Sequence, residues 1–181
     1  QKDMPDELAD RIERGIDDAL TFLEGTQRKC GSWIPLWFGN QYAIDEENPT
    51  YGTAKVLIAL NEFPPAMDVR LRPLVDRAAA WLVGAQKPDG SWSGGGDWPA
   101  SIEETALAVE ALAGCRPLGP RGRDALTAGT LWLIGKVERG EWREPSPIGF
   151  YFAKLWYFEK LYPQIYTVGA LNKARRALAE S

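Results

Sequence analysis

The sequence contains no histidine. That excludes imidazole-based zinc sites, Ser-His triads and Cys-His dyads in one step. Cys30 and Cys115 are the only cysteines, too few for a disulfide scaffold, and they read as buried or half-buried thiols of a reducing compartment. No apolar run is long enough to span a membrane, and the opening QKDMPDELADRI is acidic, unlike a signal peptide. A cytoplasmic location is expected, with peripheral membrane contact left open for a longer parent. No run of Lys or Arg forms a patch, and the net charge of −4 argues against a nucleic-acid partner. No stretch alternates with period two for long enough to predict a strand. Position 1 is Gln1 and not methionine, so the chain is expected to be a processed or excised piece of a longer protein.

What is present fits one globular domain over 1–181. The 45% hydrophobic and 25% charged residues are ordinary for such a chain of 181 residues. Eight tryptophans are not ordinary, and imply a systematic use of the indole ring. Leu8, Ile12, Ile16, Ala19, Leu20 and Leu23 recur by three and four, which predicts a helix over 6–24 with one buried face. Further helices are predicted over about 51–62, 69–85, 101–114, 122–137 and 148–162. A last one runs to about 178 after an interruption at Pro163. The pattern SIEE at 101–104 is a capping box, in which Ser101 caps the helix and Glu104 reaches back. About seven helices and no strands make the chain all-α.

The turns repeat. FLEGTQRKCGSW (22–33) and WLVGAQKPDGSW (81–92) share an aromatic, Leu, Gln, Gly, Ser and Trp in one register, 59 residues apart. A degraded copy, WLIGKVERGEW (132–142), carries Val137 in place of Gln and is one residue shorter. Each unit is two helices and a turn, and such a hairpin buries its apolar face only by stacking on neighbours. Gln27 and Gln86 stand at helix ends, where their amides are expected to bridge free carbonyls and the free N–H groups of a neighbouring helix. Gly31 and Gly90 permit the reversal, and Trp33 and Trp92 cover it. All six residues read as structural.

These residues resemble the QW motif of the squalene–hopene cyclase and oxidosqualene cyclase family: aromatic-Leu-x-x-x-Gln-x-x-x-Gly-x-Trp. GSWIPLWFGNQY…YGTAKVLIAL, SIEETALAVEALAG and PIGFYFAKLWYFEKLYPQIYTVGAL resemble late segments of the same family. The likeness covers nearly the whole chain but only the last third or so of a full cyclase. It implies an incomplete α/α toroid of helical hairpins. It also implies that the initiating acid, an Asp-x-Asp-Asp motif that protonates squalene or its oxide, lies upstream. Here Gly15 precedes Asp17-Asp18 where the leading Asp would stand, so no catalytic residue is assigned. On matching positions, Trp37, Tyr51, Tyr151 and Phe152 are candidates for the aromatic wall of an apolar cavity, with Asn40 as polar support; plain core packing is the alternative role for each aromatic. Ile34, Leu36 and the insertion AIDEENPT depart from the pattern and leave the product open.

The implied partners are the remainder of the parent chain and, in the complete protein, a squalene-like polyene. Self-association is expected of the piece alone; no cofactor and no metal is expected. Two other readings remain. The chain is a helical-repeat packing module, or it is an α/α-toroid carbohydrate-active enzyme using carboxylates among Asp45, Glu46, Glu47, Asp97, Glu103 and Glu104. Protein prenyltransferases share the toroid but need a zinc set that includes histidine.

Overall fold

The computed structural model describes residues 5–43, 45–63, 68–150 and 155–179. The elements are α1 (Asp6–Thr26), α2 (Pro49–Leu60), α3 (Asp68–Gly84), α4 (Ile102–Gly114), α5 (Pro120–Glu138), β1 (Pro147–Phe150), β2 (Leu155–Phe158) and α6 (Tyr162–Ala179). The helices form two layers. In one, α4 lies between α2 and α6; in the other, α3 packs against α2 and α5. Eleven of the thirteen residues of α4 are buried, which places this helix at the centre of the core. Its small residues Ala106, Ala108, Ala111 and Ala113 let neighbouring helices approach closely. The amphipathic stripe of α1 is only partly covered. Leu20 is buried and Ile16 and Leu23 pack on the core, but Leu8 and Ile12 are exposed.

The two full Gln/Trp turns superpose bond for bond. Gln27 Nε2 donates to the carbonyls of Gly31 and Leu74, both at 3.0 Å, and Gln86 Nε2 donates to those of Gly90 and Ala125, both at 2.9 Å. Each amide therefore ties the end of one outer helix to the body of the next, α1 to α3 and α3 to α5. The expectation that it would meet free N–H groups of the neighbour is corrected: its nitrogen meets carbonyls in the body of that helix. Gln27 Oε1 instead accepts from the Arg77 guanidinium. Trp33 and Trp92 donate their indole N–H to Leu23 O (2.9 Å) and Leu82 O (2.8 Å). Their backbone N–H groups donate to Thr53 Oγ1 and Thr105 Oγ1 on the inner helices, both at 2.9 Å.

Gly31 and Gly90 have φ of +101° and +91°, and a Cβ at either would run into a carbonyl of the next helix, that of Arg77 or Ala128. Only glycine meets both conditions. In the third copy Val137 offers no amide, and the loop is closed by Glu141, which pairs with Lys136 (2.8 Å) and Arg139 (2.9 Å).

The C-terminal third differs from the sequence reading. Among the described residues of 148–161, none lies in a helix. β1 and β2 pair antiparallel, with Pro147 opposite Phe158 and Phe150 opposite Leu155. The residues are aromatic-rich, a composition that suits a pleated surface as well as a helix. Leu155 and Phe158 lie on β2, Tyr162 opens α6, and Tyr151 lies outside the described residues. Pro163 does not interrupt a helix but sits in the first turn of α6, where its missing N–H costs nothing. Among the described residues there are six helices, not seven.

Candidate functional site

Three inner helices start at the same end of the molecule. Asn48 caps α2 by accepting from Tyr51 N at 3.0 Å, and Ser101 caps α4 by accepting from Glu104 N at 3.1 Å. The Glu104 side chain does not reach back to Ser101, as a full capping box would have it. It turns inward, and Oε1 accepts from Asn48 Nδ2 at 2.9 Å. One asparagine thus caps α2 with its oxygen and ties α2 to α4 with its nitrogen.

Around this junction the buried ends carry aromatic and acidic groups. The Tyr51 ring lies 4.9 Å from that of Phe38 at an interplanar angle of 33°. Its hydroxyl pairs with that of Tyr166 on α6, whose ring stands 5.1 Å from that of Tyr162. Burial, with the Tyr51 hydroxyl beside it, holds Tyr166 well above the ordinary phenol range. Burial also raises Tyr51, partly offset by the Tyr166 hydroxyl. Both remain neutral phenols at any physiological pH. A neutral phenol presents an electron-rich face and is a far poorer nucleophile than a phenolate.

Among the described residues, the two adjacent carboxylates Glu103 and Glu104 are buried without an ion-pair partner. Glu103 is 1% exposed, and its Oε1 accepts from Ser146 N at 2.8 Å. Burial raises its proton affinity, and the Ser146 N–H offsets part of that. Burial and then the charge of Glu103 push Glu104 up to about 7, against the bond from Asn48.

The sequence candidates separate here. Tyr51 belongs to this cluster. Asn40 does not: it is buried in the loop before α2, where Oδ1 accepts from Tyr42 N at 3.0 Å and its side chain packs on Gly94. These contacts shape the loop before α2. Trp37 is 49% exposed in the same loop, outside this cluster. Tyr151 and Phe152 lie outside the described residues. Tyr166 and Phe38 were not singled out from sequence; the four-residue spacing of Tyr162 and Tyr166 at a helix start is the signal that was there.

Residues 6–176 match the squalene-hopene cyclase C-terminal domain. The chain belongs to that family. It is 28% identical to a squalene–hopene cyclase of Bradyrhizobium diazoefficiens over 84% of this chain and 24% of that protein. It is 29% identical to a copalyl diphosphate synthase of Streptomyces anulatus over 90% of this chain and 25% of that protein. The structure of an ent-copalyl diphosphate synthase from Streptomyces platensis superposes with a TM-score of 0.65 and 27% identity, covering 96% of this chain and 29% of that one. The chain thus spans about a quarter of the length of such relatives, and its six helices form an arc of the terpene-cyclase α/α toroid. In this family member, no helix among the described residues is long and apolar enough to cross a membrane.

Proposed function

We propose that the chain is the C-terminal portion of a protonation-initiated polyene cyclase, in which it supplies part of the aromatic wall around a squalene-like substrate. The observation that carries this reading is the meeting of Tyr51, Phe38 and Tyr166 at the N-terminal ends of the inner helices. A polyene folding into rings carries positive charge with no counter-ion, and aromatic faces stabilise it without being consumed. The relatives include squalene–hopene cyclases and copalyl diphosphate synthases, so squalene and an acyclic isoprenoid diphosphate are both to be offered to the parent protein. Cyclic product from either, read by gas chromatography with mass detection, supports the proposal. A well-folded parent that cyclises neither refutes it. In that parent, Tyr51→Ala is expected to lower kcat by about tenfold or more, since one cation–π contact in a dry site is worth about 2 kcal/mol.

The 181-residue chain alone is expected to make no cyclic triterpene from squalene, because no Asp-x-Asp-Asp acid lies within it. Any hopene-like product formed by the isolated chain would overturn that expectation.

The remainder of the parent is the proposed partner of two uncovered edges. One is the exposed part of α1, Leu8 and Ile12, with a groove of about 460 Å³ between Phe22, Leu36, Tyr51 and Val56. The other is the stripe Leu161, Ile165 and Val168 at the start of α6. Contiguous apolar edges are surfaces that proteins usually cover with a partner. The isolated chain is expected to self-associate at micromolar concentration and to bind a hydrophobic dye. Sedimentation showing a monomer that binds no dye would count against an arc awaiting closure.

A further inference from the structure

The outer helices α1, α3 and α5 occupy equivalent places in the repeat, and two of the three receive a turn from the helix before them. Residues of α3 stand 59 on from those of α1, as Trp81 to Phe22, and residues of α5 stand 51 on from those of α3, as Trp132 to Trp81. In that register the contacts coincide. Leu74 O and Ala125 O, which accept from Gln27 and Gln86, are equivalent. So are Arg77 O and Ala128 O, against which Gly31 and Gly90 close. The Trp92 ring rests on Gly129, whose equivalent in α3 is the fully buried Ala78. On α1 the same three places are Gly15, Asp18 and Ala19, and they are open among the described residues. A Cβ at Gly15 would meet nothing within 4 Å, and Asp18 and Ala19 are exposed. Ile12 is 44% exposed, whereas Leu71 at the same place in α3 is 3% exposed. Arg11 repeats Arg70, which reaches back to Glu24 of the preceding outer helix at 2.6 Å and to Asp17.

The other end of the arc is different. Val137 stands where Gln27 and Gln86 stand, and among the described residues no outer helix follows α5, so no carbonyl waits there for an amide. The receiving face on α1 is complete, while the last turn has lost its donor. A second copy of this chain therefore brings no free turn to α1, because Gln27 and Gln86 are already engaged on α3 and α5. We infer that α1 is the acceptor of a further Gln-x-x-x-Gly-x-Trp turn, supplied by the parent chain upstream of residue 1. The amide of that glutamine donates to Gly15 O, its glycine closes on Asp18 O, and its indole lies over Ala19, which is small enough to let a flat ring approach. The outer helix that the turn ends presents an acidic residue to Arg11, as α1 does to Arg70. The inference rests on the reading of the chain as the C-terminal portion of a longer cyclase, and names the segment that covers this edge.

The test compares thermal melts of the full parent protein and of the 181-residue chain. The parent is expected to encode such a turn upstream. In the parent, Ala19→Leu fills the seat of the indole and is expected to lower the midpoint by about 2 °C or more, as overpacking does. In the isolated chain the same change is expected to move the midpoint by less than about 1 °C, since the seat is open and leucine is nearly as good a helix former as alanine. Asp10→Leu is the control and is expected to be silent in both proteins, because its equivalent Val69 is 91% exposed within the closed part of the arc. With the tryptophan of the upstream turn replaced by alanine, Ala19→Leu should lose most of its effect, a coupling that reports the contact itself. A parent without such a turn, a parent midpoint indifferent to Ala19→Leu, an equal loss in the isolated chain, or a loss that survives the tryptophan replacement each overturns the assignment. Ala19→Leu that dissociates the isolated chain and leaves the parent unmoved also overturns it, and gives the face to a second copy. No arm reads cyclisation, so a parent that passes these measurements and cyclises no polyene overturns the cyclase reading and leaves the docking face in place.

Discussion

Trp92→Ala is expected to lower the stability of the chain by about 3–5 kcal/mol, the usual cost of emptying a large aromatic site in a core. Trp92 is 0% exposed. Its ring lies directly on Gly129 of α5, where a Cβ would stand 2.6 Å from ring carbon Cζ3, and its two N–H groups hold α3 and α4. One side chain therefore spans three helices. Gln86→Ala removes the donor of two bonds and is expected to cost about 1–3 kcal/mol. Trp142, in the copy that lacks the glutamine, is only half-buried, so Trp142→Ala should cost less than about half as much as Trp92→Ala. Equilibrium urea unfolding measures all three. Unchanged midpoints for both Trp92→Ala and Gln86→Ala would mean that the repeated turn does not hold the arc together.

That turn was legible in the sequence because its chemistry is local. A helix end, an amide four residues beyond an aromatic-Leu pair, a glycine and a tryptophan fix most of the geometry within a dozen positions, and the structure repeats it with matching partners. The β-hairpin was not legible. Its run of aromatics can be placed on one helical face or on a pleat, and no Asn-Gly or Asp-Gly pair marks a reversal. The likeness to cyclases pointed to Tyr51 and Asn40 but gave no sign of their partners: Tyr51 stacks near Phe38, and Asn40 shapes a loop against Gly94. The site itself is a tertiary product. Glu104 reads locally as a capping residue, and only the arrival of Asn48, 56 residues upstream, draws its side chain inward. Tyr166 has no signal pointing to Tyr51, because that pairing exists only once α2 and α6 stand on either side of α4.

Glu104→Gln is expected to stabilise the chain, and by an amount that depends on pH. The folded protein binds the Glu104 proton more tightly than the unfolded chain does: about 7 against an ordinary value of 4.5. Between those values the native state holds the proton and the unfolded state releases it, so stability falls as pH rises through this window. Below the ordinary value both states are protonated and the group costs little. Above about 7 the buried carboxylate is charged in the fold, a penalty of about 3 kcal/mol at the conversion of about 1.4 kcal/mol per unit. Glutamine keeps the oxygen that accepts from Asn48 Nδ2 and carries no charge at any pH. Variant and wild type should therefore be nearly equal at pH 4.5 and diverge to about 2–3 kcal/mol in favour of the variant at pH 8. Carboxylates remote from Glu104 titrate in both proteins alike and cancel in the difference; Glu103, whose charge helps raise Glu104, is eased by the substitution and adds to it in the same direction. Glu104→Leu separates charge from hydrogen bonding: it removes the penalty but leaves Asn48 Nδ2 bare, which returns about 1–3 kcal/mol of cost. Urea midpoints at the two pH values decide the matter. A Glu104→Gln protein no more stable than wild type at pH 8 would show that the fold bears the charge without cost, and that the carboxylate is solvated or countered by a group of the surrounding chain.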